Sequence, residues 1–319
     1  MLLHITHETR YRYLPAVVNA HHVVNLKPVN RAGGQRLLDH SLVIYPSPQS
    51  QRETQDVFGN SRTFFSLQTV HPQLRVVAKS RVLTRTARAL HAGAAKASSI
   101  SAGWPWEQVR EAFCYRAGAR FDSANEFLFA SSYAPVHEAF ADYARSSFQP
   151  GRPLLEAAHS LMQHIYQFMA YEPDSTQVHT PALDALRQGK GVCQDFAHIM
   201  VACLRSLGLP ARYVSGYLLT HPPPGKPRLI GSDASHAWAS VYSPEHRHWF
   251  DFDPTNNRAP GEDYVTLAVG RDFLDVSPMR GVIRGGANHV LSVEVTVEPI
   301  NEAKAVDRRS NMAESVLLN

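Results

Sequence analysis

The sequence predicts an α+β protein, in which a β-rich N-terminal part precedes a helix packed on an antiparallel sheet. Residues 1–85 alternate apolar and polar residues between turn signals and show no helical period. Segment 191–208 instead has apolar residues at three- and four-residue steps, as a buried helix does. Three strand-like segments with short connections follow that helix, which favours an antiparallel sheet packed against it.

Length and composition indicate an ordinary globular protein of two domains. The 319-residue chain exceeds the usual single-domain size, and it is 44% hydrophobic and 19% charged. We predict a β-rich N-terminal domain at 1–90, a linker with short helices at 91–150, a helix-and-sheet core with a C-terminal strand at 151–300, and a mobile polar tail at 301–319.

Three cysteines, Cys114, Cys193 and Cys203, cannot all pair within the chain, and their spacing fits no metal motif. No run approaches the roughly 18 apolar residues of a membrane span, and the first residues lack the pattern of a secretory signal. We therefore expect a cytoplasmic protein with no membrane association, no metal and no other cofactor.

Positive charge is concentrated in the N-terminal part. Residues 1–90 contain twelve Lys and Arg against four Asp and Glu, a net charge of +8, whereas the whole chain carries only +4. Such a surface attracts acidic peptides or nucleic acid. No nucleic-acid motif accompanies the charge, so we interpret it as a solvated sheet face and expect no nucleic-acid partner.

The N-terminal elements read as short strands at 2–13, 37–45, 62–67 and 74–83, separated by turn residues. Strands at this spacing predict a small antiparallel sandwich, which we interpret as a binding or scaffolding element. Residues 86–104 are rich in Ala, Ser and Gly and are typical of a linker.

The core begins with a helix at 154–168, whose apolar residues form one continuous stripe. A shorter helix should follow, with Thr180 as its N-cap and Pro181 at its first position. After the central helix we expect strands at 211–219, 235–242, 248–253 and 289–297, and loops at the glycines of 281–286.

Cys193 is the candidate nucleophile. It lies in the first turn of the central helix, where unpaired N–H groups and the helix dipole favour a thiolate. Cys203 falls on the apolar stripe of the same helix and fills core space. A cysteine near a helix start is by itself more often a packing residue, so its role depends on the residues placed beside it.

His236 and Asp253 supply a base and a group to orient it. His236 begins one predicted strand and Asp253 ends the next, so a hairpin brings them together at one sheet edge. Each has a structural explanation when taken alone, since a lone histidine is often a core residue and Asp-Pro-Thr is a common turn. Asp251 competes with Asp253, because both point to the same face of the strand.

Four stretches together resemble the bacterial transglutaminase-like superfamily: Gly-Val-Cys193-Gln-Asp-Phe-Ala-His, Leu-Arg-Ser-Leu-Gly-Leu-Pro-Ala-Arg-Tyr-Val-Ser-Gly-Tyr217, His236-Ala-Trp, and Trp-Phe-Asp-Phe-Asp253-Pro-Thr-Asn-Asn. The match is dense over 153–257, and 1–85 resembles the β-rich region that accompanies this core. The resemblance implies a papain/transglutaminase-like core with Cys193 as nucleophile, His236 as general base and acid, and Asp253, the aspartate before Pro-Thr, as the orienting carboxylate.

The resemblance also implies an acyl-enzyme and a protein or peptide substrate. We expect Trp238, Tyr171 and Gln194 to contact the substrate. The Cys193 N–H is the expected first oxyanion donor, and Tyr171 or Gln194 the second. Animal transglutaminases add β-domains after the core and depend on calcium. We expect neither those domains nor a calcium loop here, and therefore favour hydrolysis of a peptide, isopeptide or amide bond over protein cross-linking.

Two readings from other classes stay open. The chain is a binding or assembly factor if the fold is used without turnover. It holds a metal if Cys193, His236 and Asp253 act as ligands with His246 or His248, although no pair has the usual short spacing. The sequence does not indicate an oligomeric state.

Overall fold

The computed structural model describes residues 1–85, 103–118, 120–220 and 235–300. Most of the predicted linker at 86–104, the Pro-rich segment at 221–227 and the tail at 301–319 lie outside these ranges. The described chain is a mixed α+β structure, with an antiparallel β region followed by a core of helices packed on a second sheet, as the sequence predicts.

The N-terminal sheet is built around one long strand. β1 runs through 23 residues, long enough to serve two sets of neighbours. Its first half lies between β5 and β13, and its second half lies between β4 and β12. The strands of this sheet are β1 (Leu2–Val24), β2 (Gln35–Tyr45), β3 (Ser50–Gln55), β4 (Ser61–Leu67), β5 (His71–Thr84), β12 (Met279–Gly285) and β13 (Asn288–Pro299).

The two halves of β1 thus belong to two four-stranded groups, β2-β5-β1-β13 and β3-β4-β1-β12. Alternate residues of β1, among them Leu3, Ile5 and Val17, face a common apolar core. The alternation read from the sequence therefore reflects one buried and one solvated face.

The core places a central helix between a sheet and a layer of helices. Its helices are α1 (Trp106–Ala112), α2 (Glu138–Arg145), α3 (Leu154–Phe168), α4 (Ala182–Gln188), α5 (Cys193–Ser206) and α6 (Phe273–Val276). Two short strands, β6 (Ala170–Tyr171) and β7 (Lys190–Gly191), pair in parallel next to the start of α5. The main sheet has the order β10-β9-β8-β11, with β8 (Ala211–Leu218), β9 (Ser235–Ser243), β10 (His248–Phe252) and β11 (Tyr264–Gly270).

Helix α5 is buried nearly all round. It packs on β8 and β9 on one side and on α2, α3 and α4 on the other. Cys203 is fully buried within this helix, in contact with the apolar cluster around Leu161 and Phe140. Such a helix is a rigid support for the side chains in its first turn.

Side chains of the N-terminal sheet complete the free edge of β11. The Gln35 amide donates to the Thr266 carbonyl and accepts from the Thr266 N–H, both at 2.7 Å. The Asn60 amide makes the same pair of bonds with Val269, at 2.7 and 2.8 Å. Buried backbone groups need partners, and these two amides act in place of a neighbouring strand.

The predicted C-terminal strand is present at 288–299, where it pairs with β1 in the N-terminal sheet. Two sequence predictions are corrected by the structure. The glycine-rich stretch predicted as loops forms β12, because Gly281 lies against His22, where a Cβ would come within 2.2 Å of the ring. Helix α4 begins one residue later than expected, with Pro181 as N-cap, while Thr180 accepts the N–H of Gln177.

None of the helices in the described ranges has the length and apolar character needed to cross a membrane.

Candidate active site

Cys193 is held at the first position of α5 by a tight local structure. The Asp195 carboxylate accepts the Val192 N–H at 2.8 Å and the Thr176 hydroxyl at 2.6 Å, which ties the helix start to the preceding loop. Gly191 is required there, because a Cβ at this position would lie 2.6 Å from the Asp195 oxygen. Cys193 remains partly accessible, as a reactive thiol must be.

His236 and Asp253 meet at one end of the β9–β10 hairpin. The hairpin pairs Phe252 with Ala239, which brings the residue after β10 next to the start of β9. His236 Nε2 lies 2.7 Å from Asp253 Oδ2, and both side chains are buried. This is the contact that the hairpin in the sequence predicts.

The Cys193 thiol lies close to the His236 ring, near enough to raise the pKa of the ring. Since Nε2 faces Asp253, the Nδ1 side of the ring is the side left for the sulfur. Burial lowers the pKa of His236, but Asp253 and Cys193 together outweigh it and raise the pKa to about 10. At neutral pH the ring is a buried cation beside the Asp253 carboxylate.

Asp253 is surrounded by donors that the sequence did not single out. Its Oδ2 accepts the Tyr264 hydroxyl and the Asn256 amide, each at 2.7 Å, in addition to His236. Its Oδ1 accepts the backbone N–H of Thr255 at 2.9 Å. Burial raises the pKa of Asp253, and the bonds from these donors more than offset it, so that the pKa lies below its ordinary value.

Asp251, the competing aspartate, is engaged elsewhere. It lies opposite Ser240, whose hydroxyl it accepts, and it forms an ion pair with Arg31 of the N-terminal sheet at 2.5 Å. Asp251 is thus a contact between the two parts of the chain. The geometry places Asp253, and not Asp251, against His236.

The three predicted substrate contacts differ in position. Trp238 is fully buried behind the site, 6.1 Å from the His236 ring and edge-on to Tyr264, so it supports the histidine and has no surface for a substrate. The Gln194 amide donates to the Val178 carbonyl at 2.9 Å. Only the Tyr171 side chain is well exposed, at 56%.

The alternative metal ligands are not brought together. His246 and His248 lie at the turn end of the β9–β10 hairpin, opposite the end that holds His236, and the ring of His246 hydrogen-bonds Ser243 at 2.9 Å. Among residues 1–85, 103–118, 120–220 and 235–300, no three His, Cys, Asp or Glu residues are grouped so as to hold a metal ion.

Similarity to known proteins shows the family of this chain. A model of the transglutaminase-like superfamily matches residues 141–254, and a model of the bacterial transglutaminase-like N-terminal region matches residues 3–83. An uncharacterized protein of Mycobacterium tuberculosis is 38% identical over 300 residues, which covers 92% of each chain. The chain belongs to the transglutaminase-like superfamily.

Two further similar proteins match different lengths of this chain. A protein-glutamine gamma-glutamyltransferase of Pseudomonas aeruginosa is 30% identical over 134 residues, covering 40% of this superfamily member and 19% of that protein. A crystal structure from Cytophaga hutchinsonii, described as a "putative cysteine protease", superposes with a TM-score of 0.68 at 21% identity and covers 94% of this chain and 92% of that one. The second comparison shows a shared fold along nearly the whole chain.

Proposed function

We propose that this transglutaminase-like protein is a cysteine-dependent acyl-transfer enzyme, with Cys193 as nucleophile, His236 as general base and acid, and Asp253 as the orienting carboxylate. The contact that carries the proposal is the 2.7 Å hydrogen bond between His236 Nε2 and Asp253, with the Cys193 thiol close to the same ring. A base held between a nucleophile and a third group is the arrangement that nucleophilic catalysis requires.

In the proposed reaction the Cys193 thiolate attacks the carbonyl carbon of an amide and forms a C–S bond. The oxyanion that develops would be stabilised by the backbone N–H of Cys193, which points out from the first turn of α5. The His236 imidazolium then donates its proton to the amide nitrogen as the C–N bond breaks. This leaves a thioester on Cys193 and a free amine.

The second half of the reaction returns the enzyme to its starting state. His236, now neutral, accepts a proton from the incoming nucleophile as that nucleophile attacks the thioester carbonyl. The C–S bond breaks, and the thiolate and imidazolium are restored. Asp253, with Tyr264 and Asn256 bonded to it, keeps the ring in position throughout.

We infer hydrolysis of a peptide, isopeptide or amide bond as the principal activity, so that water is the second nucleophile. The full-length fold of the Cytophaga hutchinsonii protein, described as a cysteine protease, favours this reaction. Transfer to a lysine amine is the second candidate, and the similarity to the Pseudomonas aeruginosa gamma-glutamyltransferase over 134 residues favours it.

The deciding experiment follows both outcomes in one mixture. A peptide library is incubated with the protein and a fluorescent primary amine, and mass spectrometry scores new carboxyl termini and new amine adducts. Hydrolysis predicts cleaved peptides as the main product, whereas transamidation predicts amine adducts. Cys193→Ala should abolish both products, and Cys114→Ala, a change at an exposed cysteine, should abolish neither.

A binding or assembly role without turnover makes the opposite prediction. The Cys193→Ala variant would then retain the full biological activity of the protein, and no library member would be converted.

We also propose a cytoplasmic location, since Cys114, Cys193 and Cys203 are all unpaired, the state that a reducing compartment maintains.

A further inference from the structure

Strand β6, close to Cys193, pairs with β7 along one edge and, within the described ranges, has no partner strand along the other. The Ala170 N–H donates to the Gly189 carbonyl at 2.8 Å, and the Glu172 N–H donates to the Gly191 carbonyl at 3.0 Å. Because successive residues of a strand direct their backbone groups to opposite sides, the N–H and C=O of Tyr171 point away from β7. We call these two groups the Tyr171 edge.

The Tyr171 edge is unoccupied and accessible. Neither group forms a hydrogen bond with another residue of the described ranges, and the residue is 56% exposed. Proteins normally cover or blunt such an edge, because it is a template for pairing with another strand. The open edge is only one residue long in β6, which suits a short transient contact better than a permanent one.

The edge lies beside the nucleophile. Tyr171 is paired with Gly191, two residues before Cys193. The Tyr171 ring lies 6.5 Å from that of Phe196, on the first turn of α5. Burial and the nearby charge of Cys193 raise the pKa of the Tyr171 phenol, which also indicates that the two side chains are close.

We propose that the Tyr171 edge binds an extended stretch of the substrate's main chain by β-strand addition. The Tyr171 N–H donates to a substrate carbonyl, and the Tyr171 carbonyl accepts a substrate N–H. The acyl donor is then an extended polypeptide segment, and neither a small free amide nor a rigid folded surface. This inference rests on the proposed acyl transfer at Cys193.

N-methylation of the substrate main chain tests the inference on the unaltered protein. The probe is a pool of acetylated tetrapeptide fluoromethyl ketones, Ac-Ala-Ala-Ala-X, with matching pools methylated at one amide nitrogen at a time. The rate of adduct formation at Cys193 is measured by mass spectrometry. Methylation at one position should slow the reaction about tenfold, since one hydrogen bond is lost and a methyl group enters the edge, and the other positions should change it less than about twofold.

Two substitutions of Tyr171 separate its backbone from its side chain. Tyr171→Pro removes the outward N–H without breaking a bond to β7, a site where an edge strand tolerates proline. Its reaction with the parent pool should slow about tenfold, because the hydrogen bond from the Tyr171 N–H to a substrate carbonyl is lost, whereas N-methylation should still slow it, because the backbone carbonyl is kept. Tyr171→Ala removes the ring and keeps both backbone groups, so the sensitivity to N-methylation should persist there as well.

Iodoacetamide, which has no main chain to pair, reports separately on the Cys193–His236 pair. If Tyr171→Pro loses iodoacetamide labelling as well, its fold is damaged, and the N-methyl series on the unaltered protein decides alone. Equal rates for all methylated pools would overturn the main-chain contact while leaving Cys193 as the nucleophile. A Cys193 that reacts with neither reagent would instead refute the proposed function.

Discussion

Replacing Asp253 by asparagine removes the negative charge 2.7 Å from His236 and changes the size of the side chain very little. The asparagine can still accept the Tyr264 hydroxyl, so the local packing is retained. Without the carboxylate, the hydrogen bond and charge of Asp253 no longer raise the pKa of His236, while burial, its largest influence, still lowers it. We therefore expect the pKa of His236 to fall from about 10 in this variant.

The size of the effect follows from the bond that is lost. A hydrogen bond to a charged group contributes about 1.5–3 kcal/mol, and about 1.4 kcal/mol corresponds to a tenfold change in an equilibrium. The variant thus holds the imidazolium beside Cys193 at least about tenfold less firmly.

The assay follows the rate at which Cys193 is alkylated. In the native protein, iodoacetamide should label Cys193 faster than Cys114 near neutral pH, and in Asp253→Asn this preference should fall about tenfold. Peptide mass spectrometry of time points gives both rates from the same sample.

Asp251→Asn is the matched control. Asp251 is a second buried carboxylate in the same segment, and its bonds go to Arg31 and Ser240 instead of His236. This change should lower the stability of the protein, because it leaves Arg31 without its anion, and should leave the labelling preference intact. Retained preference in Asp253→Asn, or equal loss in both variants, would refute the assignment of Asp253.

Three other changes test the surroundings of the site. Tyr264→Phe removes a hydrogen bond to the charged Asp253 and should lower the unfolding free energy by about 1.5–3 kcal/mol in urea titrations. Labelling of Cys193 should persist, because His236, the Asn256 amide and the Thr255 N–H still bond Asp253; loss of labelling would contradict this. Burial lowers the pKa of His198 to about 3, so the neutral ring stabilises the fold above about pH 6.5, and this stability is lost as the pH falls. Between pH 7 and pH 5 the unfolding free energy of a His198→Gln variant should therefore fall by about 2 kcal/mol less than that of the native protein. An unchanged pH dependence would contradict this. Gln35→Leu leaves a backbone donor and a backbone acceptor of β11 unpaired and should lower the unfolding free energy by about 2–5 kcal/mol. Gln51→Leu, at an exposed position, should lower it by less than about 0.5 kcal/mol.

The positions of Cys193, His236 and Asp253 are predictable because each depends on local rules. A helix start places Cys193, and a hairpin with a short connection brings His236 close to Asp253. Spacing could not separate Asp251 from Asp253, since both side chains point to the same face. The structure separates them through Arg31, which comes from 220 residues earlier in the chain.

The missed features depend on contacts between distant segments. β11 has no alternation in burial, because it is covered on both faces and at its edge. Tyr264 on that strand gave no sequence signal as a partner of Asp253. The glycines of β12 suggest turns, yet Gly281 allows a close approach to His22 within a strand. Asn256 has a sequence signal, since an Asn three residues after an Asp in a turn commonly bonds back to it.

The N-terminal sheet is therefore part of the structure that orients the site. Tyr264, which bonds Asp253, lies on β11, and β11 is an edge strand whose open backbone groups are satisfied by Gln35 and Asn60. Without those amides, buried peptide groups of β11 would lack partners at a cost of about 1–3 kcal/mol each. The chain then returns to β1 through β12 and β13, so the first and last described segments hold the core between them. The two regions matched at 3–83 and 141–254 thus form one structural unit, and the position of Asp253 depends on both.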